Sequence, residues 1–231
     1  MNYSITPWKD RWPKIQFKSI HIFVLLQMID LSIYKNIILD FDGVILDANS
    51  QRKLNMKFVL DENLNQELST LTYDYFCKNS GVSRNVKLGK FIEDEFVLNK
   101  VLKEYYELNL STLPKCDLVN GVKEFIVKFH NSKKIFILTG ADEREVKILV
   151  INKNLNDYIF YLVGGPKSKI QHLKELKLDR DTVFFGDSRY DNFAANEYKF
   201  DFVFVDGYTN TKEENLKYDY IAKVKDFSKL V

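Results

Sequence analysis

Short apolar runs that end in an acid, a hydroxyl or a glycine recur along this chain. Asn36–Asp40 reads Asn-Ile-Ile-Leu-Asp, a run rich in β-branched residues, and Gly43 follows closely. A continuous apolar run of this length predicts a strand buried on both faces of a parallel sheet, with functional groups at its carboxyl end. Ile135–Thr139, followed by Gly140, has the same form. So do Thr182–Phe185 before Gly186-Asp187, Phe202–Val205 before Asp206-Gly207, and Tyr158–Val163 before Gly164-Gly165. Helical spacing fills the intervals. Val122, Phe125, Ile126 and Phe129 share one face of residues 122–130, and residues 143–151 and 169–178 behave likewise. Strands alternating with helices predict a doubly wound parallel sheet with helices on both faces. Ligands of such sheets bind beyond the carboxyl ends of the strands, where the polar punctuation of this chain falls.

Residues 48–114 break the alternation. They hold no strand pattern, whereas residues 52–60, 62–78 and 88–109 have helical spacing, with Gly81-Val82-Ser83 as a turn. Pro114 and Gly121 mark the return to the alternating pattern. The fold class expected is α/β: a Rossmann-like doubly wound parallel sheet formed by residues 35–47 and 115–231, with an all-helical cap domain inserted at 48–114. No internal repeat and no low-complexity segment is present.

Residues 1–34 are read as an extension outside this core, packed as a helix or lying on the surface. Met1–Lys18 is polar and aromatic, with Trp8 and Trp12 beside Pro7 and Pro13. Ile20–Ile33 is apolar but broken by His21, Gln27 and Asp30. A membrane-spanning helix needs about 20 apolar residues without such breaks. A signal peptide would need a small-residue cleavage site, and no Ala-x-Ala follows. Translation beginning at Met28 is the second reading, and secretion fits least.

Composition narrows the class further. The 231 residues suffice for one core with a small inserted domain, and 45% hydrophobic with 29% charged residues describes a globular chain. A net charge of +2 is too mild for a nucleic-acid partner, which calls for a clustered basic face. Cys77 and Cys116 have neither metal-ligand spacing nor the number expected of a disulfide framework. A reducing, cytoplasmic location follows, with no membrane partner expected.

The strand ends carry the candidate chemistry. Asp40 and Asp42 stand two apart in Asp40-Phe41-Asp42-Gly43. A carboxylate placed like Asp40 can attack phosphorus, and one placed like Asp42 can protonate a leaving oxygen and then activate water. A solvated strand-end turn is the alternative, because Asp and Gly favour turns. A calcium loop is disfavoured, since Val44, Ile45 and Leu46 stand where further oxygen ligands are needed. Thr139-Gly140 offers a hydroxyl and backbone N–H groups to a phosphoryl oxygen; a plain helix N-cap is the other reading. Lys167 and Lys169 follow Gly164-Gly165-Pro166. A lysine here can neutralise phosphate charge, or be a solvated surface residue. Lys169 is preferred because it opens the helical pattern, and Lys167 stays open. Asp187 and Asp191, four apart across a tight loop, can hold one magnesium ion that screens phosphate from Asp40, or simply form a polar turn and helix cap.

The order Asp-x-Asp, Thr, Lys, Gly-Asp-x-x-x-Asp over about residues 36–207 resembles the four signature motifs of the haloacid dehalogenase-like superfamily. The resemblance implies Asp40 as nucleophile and Asp42 as acid/base. It implies phosphate binding by Thr139, Gly140 and Lys169, and Mg2+ held by Asp40, the Asp42 carbonyl, Asp187 and Asp191. It also implies a helical cap between the first and second motifs. Two features depart from the family pattern: the motif lysine lacks the Lys-Pro context of many relatives, and the N-terminal extension has no counterpart. Dehalogenases lack an acid two residues after the nucleophile, so Asp42 favours a phosphoric monoester hydrolase acting on a small phosphorylated metabolite, including a sugar phosphate. A sugar-phosphate mutase shares every core residue and is the alternative. A catalytically silent binding protein and a membrane-associated protein anchored through Ile20–Ile33 are readings from other classes. In the cap, Arg84 and Lys87 of Gly81-Val82-Ser83-Arg84-Asn85-Val86-Lys87 are placed on a turn facing the site. They can bind an anionic or hydroxyl-rich substrate, and the segment is similar to a Ser-Arg-x-x-Lys run in capped members that act on sugar phosphates. A solvated helix start is the bland reading of the same residues.

Overall fold

The computed structural model describes residues 29–209 and 211–231. Six strands form one parallel sheet: β1 (Asn36–Leu39), β2 (Lys134–Asp142), β3 (Tyr161–Gly165), β4 (Thr182–Gly186), β5 (Asp201–Val205) and β6 (Ala222–Val224). Their order is β3-β2-β1-β4-β5-β6. The chain builds outward from β1 to β3, then returns to the other side of β1 with β4. That reversal opens a crevice at the carboxyl ends of β1 and β4, the place where doubly wound sheets bind ligands. Register sets the level of the crevice: Leu39 pairs with Ile137 and with Phe185, so the residues just beyond lie side by side.

β1 is buried at every position because helices cover both faces. Its side chains alternate between two cores. Ile37 and Leu39 join Ile135, Ile137, Val183 and Phe185 on one face, while Ile38 joins Phe136, Leu138 and Phe184 on the other.

Four helices fall within residues 48–114: α1 (Asn49–Asn63), α2 (Gln66–Lys78), α3 (Arg84–Leu88) and α4 (Glu95–Thr112). They enclose a third core of their own, centred on Met56, Val59, Leu60, Phe76, Val101 and Tyr105. The remaining helices are α5 (Val122–Phe129), α6 (Glu143–Asn152), α7 (Lys169–Leu176) and α8 (Arg189–Glu197).

Several elements differ from the sequence expectation, and β3 starts at Tyr161, three residues after the expected Tyr158. The helix expected over 88–109 is divided, because α3 ends at Leu88 and Asp94 caps a new start by accepting from the amides of Phe96 and Val97. β6 pairs with β5 although Ala-Lys-Val carries no apolar run; as a sheet edge it is only half-buried. α8 has little apolar periodicity and packs through small Ala194 and Ala195. β2 runs on to Asp142, three residues past the expected end.

Of the N-terminal extension, residues 1–28, including Met28 and most of the apolar stretch, lie outside the described residues. Leu31–Ile33 form a 3-10 turn, and Leu31 is buried against the core. Among the described residues no helix is long and apolar enough to cross a membrane.

Candidate active site

Asp40 is the first residue beyond β1, and its amide donates to the Phe185 carbonyl at 3.0 Å. This ties it to the end of β4, where Asp187 stands two residues further on. Gly43 makes the turn just after Asp42 possible, against Asp187. Its φ is +79°, and a Cβ there would come within 2.4 Å of both Asp187 Oδ2 and Asn49 Nδ2. Only glycine takes this conformation freely while leaving room for the acid.

Asp40, Asp187 and Asp191 are all buried, and one carboxylate oxygen of each lies within 4.8 Å of the others. Lys169 Nζ is 2.7 Å from Asp40 Oδ1 and also bonds Asp191 Oδ1. Ser168 starts α7 with a capping box, which points the Lys169 side chain back at the strand ends. Lys167, the open alternative, instead pairs with exposed Glu175 on the surface at 2.7 Å. Asp191 is in the first turn of α8, where it closes a capping box with Ser188, the polar-turn and helix-cap arrangement that is one of the two readings of this pair. Its Oδ2 accepts from the Ser188 amide at 3.0 Å and hydroxyl at 2.6 Å. Asp187 accepts from Asn49 Nδ2 at 2.8 Å.

Three carboxylates face one ammonium here. Burial, followed by the charge of Asp191, pushes Asp40 up to about 7 against the pull of Lys169. Burial and the charges of Asp40 and Asp191 push Asp187 well above the usual carboxylate range. For Lys169, burial works against the charge, but Asp191 and Asp40 outweigh it and hold the ammonium above its ordinary range. A close set of oxygen donors with surplus negative charge fits a hard divalent cation.

Thr139 and Gly140 line the same cleft. The N-cap of α6 is Asp142, which accepts from Arg144 and Glu145 amides, so Thr139 is not a helix cap. Its buried hydroxyl accepts from the Ala141 amide at 3.1 Å. Gly140 meets the insertion directly: a Cβ there would lie 2.5 Å from the Gly81 carbonyl oxygen.

Asp42 is held by a group the sequence reading missed. Arg52 Nε, on α1, donates to Asp42 Oδ1 at 2.6 Å, and its Nη1 donates to Glu145 Oε1 at 2.5 Å. Glu145, on α6, is fully buried and also accepts from Arg84 Nη1 at 2.9 Å and Asn109 Nδ2 at 3.1 Å. Burial raises Asp42, and Arg52 pulls it back only in part. Burial opposes the Glu145 charge, yet Arg52 and Arg84 outweigh it and hold Glu145 below its usual range. The sequence does carry a signal. Arg52 and Glu145 each stand on the inward stripe of their helix, with Met56 and Val59 or with Leu149. A charge on such a stripe needs a partner.

The expected turn carrying Arg84 and Lys87 is the helix α3, and both side chains are buried in the cleft wall. Arg84 is not free for a substrate: besides Glu145 it pairs with Asp142 Oδ2 at 3.2 Å. Lys87 Nζ lies 3.8 Å from the Phe76 ring centroid. Arg84, Lys87 and Phe76 line one cleft with Asp40, Asp42, Thr139 and Asp187.

Comparisons with known proteins bear on the fold and the family. No curated protein matches the sequence. Solved structures similar in fold include CbbY from Rhodobacter sphaeroides in complex with phosphate, with TM-score 0.68, 13% identity, and 85% of this chain and 96% of that one covered. A hydrolase from Pseudomonas syringae has TM-score 0.68 and 16% identity, covering 83% and 94%. A haloacid dehalogenase-like family hydrolase from Streptococcus pneumoniae has TM-score 0.61 and 15% identity, covering 82% and 94%. The family model described as haloacid dehalogenase-like hydrolase matches residues 37–205, most of the chain. The chain therefore belongs to the haloacid dehalogenase-like hydrolases.

Proposed function

We propose that this hydrolase is a magnesium-dependent phosphatase of small phosphate esters, working through an aspartyl phosphate on Asp40. The observation that carries the reading is the meeting of three buried carboxylates at the crevice of the sheet, two of them bridged by Lys169. Asp40 attacks phosphorus, and the ester P–O bond breaks as Asp42 gives its proton to the leaving oxygen. Water then attacks the same phosphorus while Asp42 takes its proton, and the bond to Asp40 breaks to release phosphate. Lys169 holds the Asp40 carboxylate in place. The Thr139 hydroxyl and Gly140 amide receive phosphoryl oxygens as charge develops on them.

Asp40, the Asp42 carbonyl, Asp187 and Asp191 would hold the Mg2+. When bound, the ion offsets the repulsion between the incoming phosphate and these acids. Residues 48–114 act as a cap domain over the strand ends of the core formed by 35–47 and 115–231. The two unpaired cysteines, Cys77 and Cys116, support a reducing, cytoplasmic setting.

The test is hydrolysis of p-nitrophenyl phosphate by purified protein with magnesium, with chelator, and with magnesium restored. Turnover that disappears with chelator and returns with the ion supports the reading. Turnover indifferent to the chelator contradicts it.

A further inference from the structure

The two oxygens of the Asp42 carboxylate have different surroundings. Oδ1 lies 2.6 Å from Arg52 Nε, an N–H that can only donate, so Oδ1 is an acceptor. Among the described residues no hydrogen bond reaches Oδ2. The side chain is 16% exposed and lines the cleft with Asp40 and Thr139. A proton on this carboxylate is therefore confined to Oδ2, the oxygen left free.

Arg52 is itself fixed. Its side chain is buried, and Nη1 donates to Glu145 Oε1 at 2.5 Å. Glu145 is held in turn by Arg84 and Asn109. The guanidinium thus has an acid of the sheet domain on each side, Asp42 just past β1 and Glu145 on α6. Its donors form a flat, rigid fork, so two such contacts set its plane. The Asp42 backbone is tied separately, by a bridge to Leu46. Its carboxylate has one tie only, because among the described residues no side chain besides Arg52 donates to it.

We propose that Arg52 is the positioning residue of the acid/base, aiming Asp42 Oδ2 at the ester oxygen. The inference rests on the phosphatase reading and deepens it by assigning the proton to one atom. In the first step the proton leaves Oδ2 for the ester oxygen, which takes the electron pair of the breaking P–O bond. In the second step Oδ2 takes a proton from the attacking water. Arg52 touches neither phosphorus nor the leaving group and keeps both its acids throughout. Without it the carboxylate turns freely about its two side-chain bonds and loses this alignment. A positioned acid supplies about 100- to 10,000-fold. A strongly basic leaving group needs that help, whereas a weakly basic one departs as the anion without it.

Substituted phenyl phosphates test this, because they share a shape and differ in leaving-group basicity. The quantity read is kcat/KM with magnesium, which covers the steps up to loss of the phenol and excludes hydrolysis of the phosphoenzyme. In Arg52→Met, phenyl phosphate is expected to lose about 100-fold and p-nitrophenyl phosphate less than about tenfold. Asp42→Asn should steepen the series in the same way. Adding Arg52→Met to Asp42→Asn should change kcat/KM less than about twofold, since Arg52 acts through Asp42. Arg52→Lys keeps the cation but loses the fork, and its slope should fall between. Circular dichroism checks that each variant is folded, and if Arg52→Met does not fold, Arg52→Lys carries the same comparison. A loss uniform across the series overturns the positioning role and leaves Arg52 a structural or substrate-binding residue. So does a large further loss in the double variant. A steeper series in Asp42→Asn but not in the Arg52 variants removes the inference alone. An unchanged slope in Asp42→Asn, or no turnover by the unaltered protein, removes the acid role of Asp42 and the inference with it.

Discussion

Replacing Glu145 by alanine removes the fully buried one of the two carboxylates that Arg52 and Arg84 each meet. Glu145 is fully buried and accepts from Arg52, Arg84 and Asn109 at 2.5, 2.9 and 3.1 Å. Its donors come from α1, α3 and α4, while it stands on α6, so it joins the inserted helices to the sheet domain. Removing one partner of a buried ion pair costs about 3–5 kcal/mol, because a charge is left without compensation. For a chain of this size each kcal/mol moves the unfolding midpoint by about 2–4 °C, so a loss of roughly 6–20 °C is expected. The Glu145 carboxylate is held below its usual range, so its contribution is present above the ordinary glutamate value of 4.5 and fades only as pH falls below it. The difference between the two proteins should therefore be flat from about pH 5.5 to 8. Thermal unfolding followed by circular dichroism, with urea titration to check for an unchanged slope, measures both. Glu145→Gln keeps the shape and one acceptor oxygen and should fall between the two. A loss for Glu145→Ala below about 1 kcal/mol would refute the assignment of Glu145 as the buried anchor of this network.

Three other outcomes follow from the site. Lys169→Ala should lower kcat with p-nitrophenyl phosphate by about 100-fold or more, whereas Lys167→Ala, whose partner Glu175 is exposed, should change it less than about twofold; steady-state kinetics separates the two lysines. Gly43→Ala forces a side chain to φ +79° and within 2.4 Å of Asp187, so it should cost about 1–3 kcal/mol of stability and weaken magnesium affinity in a metal titration. The raised proton affinities of Asp40 and Asp187 make metal-free protein gain stability as pH falls through about 7 toward the unfolded value near 3.8. Magnesium competes with those protons, so its stabilisation, about 2.7 kcal/mol at a hundred times Kd, should be full at pH 8 and much smaller at pH 5; a larger melting shift at pH 5 than at pH 8 would count against the cluster as a metal site.

Strand ends were the most readable part of this chain. Ile37–Leu39 and Val183–Phe185 are buried on both faces, and that condition writes a continuous apolar run into the sequence. The polar residues just past each run are thereby placed at one edge of the sheet. Lys169 was readable for a related reason, since the Ser168 cap fixes where α7 starts and so where its first side chain points. Elements stabilised without periodicity were not readable. β6 is an edge strand of three residues, and α8 packs through two alanines. Roles that depend on a distant partner were also hidden. Arg84 reads as a substrate cation until Glu145, 61 residues away, is brought beside it. Arg52 shares a helix stripe with Met56 and Val59, which signals burial, but its partners Asp42 and Glu145 come from other elements.

The central claim is that Asp40 becomes phosphorylated. Protein quenched during turnover of p-nitrophenyl phosphate with magnesium can be reduced with borohydride, which converts an aspartyl phosphate to homoserine, and then digested for mass spectrometry. The account predicts homoserine at position 40 and nowhere else, with neither homoserine nor turnover in Asp40→Asn. Undiminished turnover in Asp40→Asn, or trapping at Asp42, Asp187 or Asp191 in place of Asp40, would contradict it.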